Sequence, residues 1–323
     1  MLERTWDRSI LILALQLPIN PGWLSAALAL LIGGVGAVLL ARARGGVQGT
    51  TLTAAWAWTL ISWLGLVGCE VGIGIFQELN VPIVASQWRY LATIGMFLPM
   101  LAQLGAKRKH LAVWQLLVAG YWLALCVPVF KSWFFGTAGE IDPGWAWGVF
   151  LAILIILGLL NNGLTRFGPT ALCLAVAQGV MIYPYLPWTI AQVTTGGALL
   201  ALAIVLLGIV LASCGWPGPR EAIQAEDRAW FDFRDRYGSF WALRVMQCVS
   251  EAAVRYEWGL WLGWDGFRQV EIAGSDPEFR EEVHQGVVAC LRKVLGDFVA
   301  PEWLDARLPP ANPKKAGMDD IEA

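Results

Sequence analysis

The sequence predicts a membrane all-α fold, a seven-transmembrane helix bundle, followed by a small α+β helix–hairpin–helix domain on the cytoplasmic side. Three observations carry that expectation. The chain is 57% hydrophobic and only 15% charged, with a mean hydropathy of +0.56, whereas a soluble domain is about 25% charged. The charge is unevenly spread: residues 1–215 hold 10 Lys+Arg and 6 Asp+Glu, and residues 216–323 hold 13 and 19. Basic side chains also alternate between successive loops of the apolar part, the pattern that orients a polytopic chain.

Residues 1–21 are expected to form an interfacial segment rather than a cleaved signal. Their apolar run is short, Glu3 and Asp7 precede it, and no small-residue cleavage site follows. Residues 22–215 form the membrane domain. A span needs about 20 apolar residues, and seven stretches qualify, near 22–41, 52–76, 84–105, 111–130, 145–160, 169–187 and 193–214. The loops after the first, third and fifth carry Arg42, Arg44, Lys107, Arg108, Lys109 and Arg166. Those after the second, fourth and sixth carry only Lys131, beside Glu78, Glu140 and Asp142. This puts the N-terminus outside and the C-terminus in the cytoplasm of an inner-membrane protein. Trp23, Trp88, Trp133, Trp145, Trp147, Trp188 and Trp216 fall near span ends, where amphipathic rings prefer to sit. Gly33, Gly34, Gly36, Gly68 and Gly72 allow the first two spans to approach closely.

Ionisable residues inside a span are costly and mark function or pairing. Glu70 is the acidic residue deep in a span, and its natural partner is Arg89. Glu70 lies six residues before the outer end of span two, and Arg89 lies about six after the start of span three. At about 1.5 Å per residue both sit roughly 9 Å below the surface. The pair would lock two helices together or couple a proton or solute; the third alternative is that Arg89 snorkels to the head groups while Glu70 is neutral or faces water. Of the amides Gln103, Gln115, Asn161, Asn162, Gln178 and Gln192, only Gln178 is central to a span. An interhelical hydrogen bond is its ordinary role and a solute contact the alternative.

Trp216-Pro217-Gly218-Pro219 ends the last span, and residues 220–308 form the cytoplasmic domain. Trp230, Phe233, Tyr237, Trp241, Val245, Val249, Ala252 and Tyr256 recur at helical spacing and predict one amphipathic helix over 226–256. Two apolar runs flanking Asp265-Gly266 predict a hairpin with those two residues as its turn. Ser275 and Glu278 stand at capping-box spacing ahead of a second helix that ends near Gly296. Residues 309–323 read as a disordered tail.

The motifs Phe231-Asp232-Phe233-Arg234-Asp235-Arg236-Tyr237-Gly238, Trp241-Ala242-Leu243-Arg244-Val245 and Gly263-Trp264-Asp265-Gly266-Phe267 resemble those of a family of bacterial polytopic membrane proteins. That family has a C-terminal FRDRxG/WALRV-type cytoplasmic domain and no assigned function. The resemblance implies a helical membrane part and implies no reaction, cofactor or site residue. Physically, Arg234, Asp235, Arg236 and Arg244 read as a solvated helix face or intradomain ion pairs, with a partner or lipid-headgroup surface as the alternative.

Missing residues narrow the function classes. His110 and His284 are the two histidines, neither mid-span, which argues against an intramembrane haem or a copper site. The six cysteines form no CxxC pair, so metal binding is not expected. Span seven has no lysine for a retinal Schiff base, and HExxH, GxSxG and GxxxxGK[ST] are all absent. An acidic C-terminal domain argues against nucleic acid. The expected partners are the lipid bilayer and a membrane protein engaged through the cytoplasmic domain, with no catalytic residue, metal or cofactor. The leading expectation is a non-catalytic scaffold or assembly factor. The alternatives are a transporter component using Glu70 and Arg89, and a seven-helix sensor.

Overall fold

In a computed structural model the described residues are 22–107, 111–135, 141, 143–186, 194–218, 220, 224–269 and 277–310. The interfacial segment 1–21, Arg108 to His110, Glu140, Asp142, Trp188, Gln192, Pro219, Ser275 and the tail beyond 310 lie outside them.

The apolar runs form α1 (Gly22–Val47), α2 (Thr53–Glu78), α3 (Ala85–Gly95), α4 (Leu98–Leu104), α5 (Leu111–Leu125), α6 (Val127–Phe135), α7 (Trp145–Gly163), α8 (Gly168–Ile182) and α9 (Thr195–Ser213). Four of these, α1, α2, α7 and α9, are long and apolar enough to cross a membrane. A fifth span arises if α5 and α6, bent by 45°, count as one. These apolar helices mark a membrane-embedded protein. Helices α1 and α2 pack as a hairpin in which Gly33 rests on Val67 and Gly36 on the Trp63 ring, with no room for a Cβ at either glycine. The neighbouring Gly34, Gly68 and Gly72 face open space, so only part of the glycine pattern serves helix approach.

The stretch expected as one span over 84–105 is broken at Met96-Phe97. Pro99 explains the break, because it has no N–H to give the carbonyl four residues earlier and its ring crowds that carbonyl. That carbonyl belongs to Gly95, and the Ser62 hydroxyl donates to it at 2.6 Å. The Met96 carbonyl accepts from Gln178 Nε2 at 3.1 Å. Pro128 causes the bend between α5 and α6 in the same way; there the Val129 N–H turns to the Cys126 carbonyl, and the Leu125 carbonyl accepts from the Tyr90 hydroxyl at 3.2 Å. Where the surroundings supply no water, a broken helix must find donors for its freed carbonyls in its neighbours. Here Ser62, Gln178 and Tyr90 are those donors.

The C-terminal unit comprises α10 (Ala225–Arg255), a two-stranded antiparallel hairpin of β1 (Leu260–Gly263) and β2 (Gly266–Gln269), α11 (Pro277–Leu295) and the short α12 (Pro301–Asp305). Two expectations need correction. Helix α10 is not continuous: Gly238 has φ 82° and ψ 177° and kinks it. The hairpin turn is Trp264-Asp265, since Gly263 pairs with Gly266 and Leu262 with Phe267. Gly266, at φ 105°, is instead the first residue of β2. The Asp227 carboxylate anchors it there, accepting from the Phe267 N–H at 2.8 Å. Two apolar cores result: one inside the α1–α9 bundle, the other built from α10, the hairpin, α11 and α12. Leu52 and Ala106, which flank α2 and α4, belong to the second core. The two parts therefore share packing.

Candidate functional site

Glu70 on α2 and Arg89 on α3 meet in a two-pronged ion pair. Arg89 Nε donates to Glu70 Oε1 and Nη2 to Oε2, each at 2.8 Å. Nη2 also reaches the Thr195 hydroxyl in the first turn of α9, at 3.1 Å. The two residues are 1% and 4% exposed. Fork-to-carboxylate pairing engages both oxygens in one plane and is the strong form of this interaction. Three helices are thus pinned at one level, and the charges are neutralised by each other rather than by water. Close by, Tyr185 stacks edge-on against Tyr90, with ring centroids 5.0 Å apart, and donates to the Ser86 carbonyl at 2.8 Å. The Tyr90 oxygen accepts from Trp147 Nε1 at 2.6 Å. Gln178 does not join this cluster, because its amide is committed to the α3–α4 break.

The second polar concentration lies where α10 meets the bundle. It is built from three places in the sequence: the turn between α1 and α2, the end of α4, and the end of α7. From the first, Thr51 Oγ1 donates to the Ala106 carbonyl at 2.6 Å and lies 3.1 Å from the Tyr237 hydroxyl. Tyr237 donates onward to the Phe298 carbonyl at 2.8 Å, and Thr51 N–H donates to that same carbonyl. Thr50 and Val299 form an antiparallel bridge, and Ala300 N–H donates to the Gly49 carbonyl. From the second, Gln103 Nε2 donates to the Arg236 carbonyl at 3.0 Å and to Asn162 Oδ1 at 3.1 Å. Its backbone carbonyl accepts from Trp241 Nε1, and Lys107 pairs with Asp297 at 2.9 Å. From the third, Asn161 Oδ1 accepts the Phe240 N–H at 3.1 Å, and Ser239 donates to the Leu160 carbonyl.

The kink at Gly238 makes this possible. A Cβ there would lie 2.5 Å from Asn161 Nδ2, and the backbone conformation is one that only glycine adopts freely. Burial holds the Tyr237 phenol in its neutral form, pushing its pKa up to about 12. Burial lowers the Arg236 pKa, partly offset by Asp232, and Arg236 Nη1 donates to the Gly46 carbonyl. Phe233 stacks on Tyr237 at 4.5 Å, and both rings pack edge-on to Phe298.

The four charged residues singled out as a partner surface are distributed unequally. Arg234 and Asp235 are buried and paired at 2.8 Å. The Arg234 guanidinium also donates to the Trp264 carbonyl at 2.7 Å and lies between the Phe231 and Trp264 rings, at 4.9 and 5.0 Å. Arg236 is half-buried in the joint, and only Arg244 is exposed. Sequence reasoning noted Gln103, Asn161 and Asn162 as polar but passed over them as lying at span ends. It missed Thr51, Gly238 and Phe298. A glycine interrupting an otherwise helical aromatic pattern was the available signal.

Among the described residues no three His, Cys, Asp or Glu side chains gather closely enough to hold a metal ion. No family model matches the chain, and neither a curated protein nor a solved structure matches it.

Proposed function

We propose that the protein is a non-catalytic scaffold or assembly factor of the inner membrane, multi-pass, with its N-terminus outside and its C-terminal unit in the cytoplasm. One observation carries the reading: the C-terminal unit is bonded to the α1–α2 turn, the end of α4 and the end of α7 together. Those three points therefore lie at one end of the bundle. The chain must return to that end between each of them, which supports α3 with α4, and α5 with α6, as single crossings. A further return through α8 and α9 brings the total to seven. The same end carries Arg42, Arg44, Lys107 and Arg166, which supports its cytoplasmic placement.

The joint also favours a scaffold over a device that moves. Its contacts are drawn from three separate places in the bundle, with Thr51 and Tyr237 buried at the centre, so the C-terminal unit is held in a fixed orientation for presentation to another membrane protein. A transporter component working through Glu70 and Arg89 is the weaker reading. Both carboxylate oxygens are already taken by the guanidinium, which leaves the pair suited to locking helices.

The test is isolation of the full chain in mild detergent at native abundance, in wild-type form and with Glu70→Met and Arg89→Met combined. A scaffold brings down one stoichiometric membrane-protein partner in both forms. Recovery of the chain without a partner, together with proton-driven solute uptake in vesicles that Glu70→Gln abolishes, would establish transport instead.

A further inference from the structure

The exposed apolar side chains of α7 form a row: Ile153, Ile156 and Leu160, continued by Leu164 just beyond its end. The spacing of three and four keeps them on one helix face. Helix α10 is tied to the end of this row by two bonds, Ser239 Oγ to the Leu160 carbonyl at 3.2 Å and Phe240 N–H to Asn161 Oδ1 at 3.1 Å. Phe240 therefore lies beside the last turn of a helix that is long and apolar enough to cross a membrane. Yet Phe240 is 41% exposed and Leu243, on the same face three residues on, is 50% exposed. The next residue, Arg244, is also exposed, and it opens a polar chain in which its guanidinium donates to Gln247 and Gln247 donates to Glu251.

We propose that residues Phe240 to Arg244 form a lipid-contacting wedge. Phe240 and Leu243 enter the headgroup–acyl boundary of the leaflet at that end of the bundle, and Arg244 sits at phosphate level. The inference rests on α7 crossing the bilayer. The bilayer is the occupant because the apolar patch is tied to the last turn of α7 and so lies at the level where the exposed row of that helix ends. Its order, large apolar side chains followed at once by a cation, is that of an interfacial helix face. Lodged there, the wedge fixes the C-terminal unit against the membrane as well as against the bundle.

The experiment places the photocrosslinker p-benzoylphenylalanine singly at positions 156, 240, 243 and 302 of the full chain. The protein is reconstituted in vesicles of phosphatidylethanolamine and phosphatidylglycerol, irradiated and weighed intact. Addition of one lipid mass is expected at 156, 240 and 243, and none at the exposed Glu302 position on α12. Lipid adducts at 156 without any at 240 and 243, or crosslinks from those two positions to protein, overturn the wedge and leave the crossing of α7 standing. Absence of lipid at 156 overturns both. If Arg244 meets phosphate, raising the phosphatidylglycerol fraction increases the adduct at 243 by about two- to fivefold, and Arg244→Gln removes that increase. An increase that persists in Arg244→Gln overturns the role given to the arginine.

Discussion

Gly238 lies directly against the Asn161 carboxamide, so close that a Cβ would fall 2.5 Å from its nitrogen and 2.6 Å from its oxygen. The kinked backbone of one segment thus fills the space beside the last turn of another. A side chain at 238 would therefore have to displace Asn161.

Gly238→Ala is expected to destabilise the joint by about 1–3 kcal/mol from backbone strain, and by more if Asn161 has to move. Limited proteolysis of the connection after Trp216 should accelerate in this variant, while helicity is retained. An unchanged cleavage rate would contradict the account of the kink.

For the Glu70–Arg89 pair, the asymmetry between removing one charge and removing both is the test. Glu70→Gln alone strands a buried guanidinium and should cost about 3–5 kcal/mol, seen as a lower melting temperature in detergent. Replacing both with methionine should restore most of that loss. A melting temperature indifferent to Glu70→Gln would mean that Arg89 finds another partner or water.

The α3–α4 break offers a closed cycle. Ser62→Ala leaves the Gly95 carbonyl without its donor and should cost about 1–3 kcal/mol. Pro99→Ala restores an N–H that can reach the same carbonyl, so Ser62→Ala should cost much less in that background. Equal costs in the two backgrounds would refute the idea that the hydroxyl stands in for the missing amide.

Tyr237 has a pH signature. Its proton is held more tightly when folded, with the pKa raised from 10.0 to about 12. Below pH 10 the protonated phenol contributes its full stabilisation. Above pH 10 the unfolded chain releases the proton while the folded chain keeps it, so stability falls, by about 1.4 kcal/mol per pH unit at most. The stability difference between the native chain and Tyr237→Phe should therefore be constant up to pH 10 and shrink from there towards pH 12. A difference that stays flat throughout would place the hydroxyl in contact with water.

Local patterns carried much of the architecture. Apolar stretches announced their helices, and the placement of Glu70 and Arg89 at matching depth anticipated which two helices they would link. What could not be read was who would receive a given side chain. Arg234 and Asp235 are charged residues within a helix, and nothing nearby in sequence reveals that Trp264, thirty residues on, offers a carbonyl and a ring to the arginine. Pro99 and Gly238 were visible as residue types, but the consequence of each depends on a partner, Ser62 or Asn161, supplied by a distant element. Hydrophobic periodicity averages over several turns and so reads through a single-residue kink. The hairpin turn slipped by one position for a related reason, since Asp227 on α10 decides where Phe267 is held.

The pairing of Thr50 with Val299 has a consequence for biosynthesis. The turn between the first two helices emerges from the ribosome well before the segment it must pair with, because the rest of the helical bundle is made between them. At about 5–20 residues per second, the nascent chain threads the rest of its helices for tens of seconds while the Gly49 carbonyl and the Thr51 amide wait for Ala300 and Phe298. A ribosome that stops short of Phe298 leaves that seam open, with the Gly49 carbonyl and the Thr51 amide unpaired by their partners.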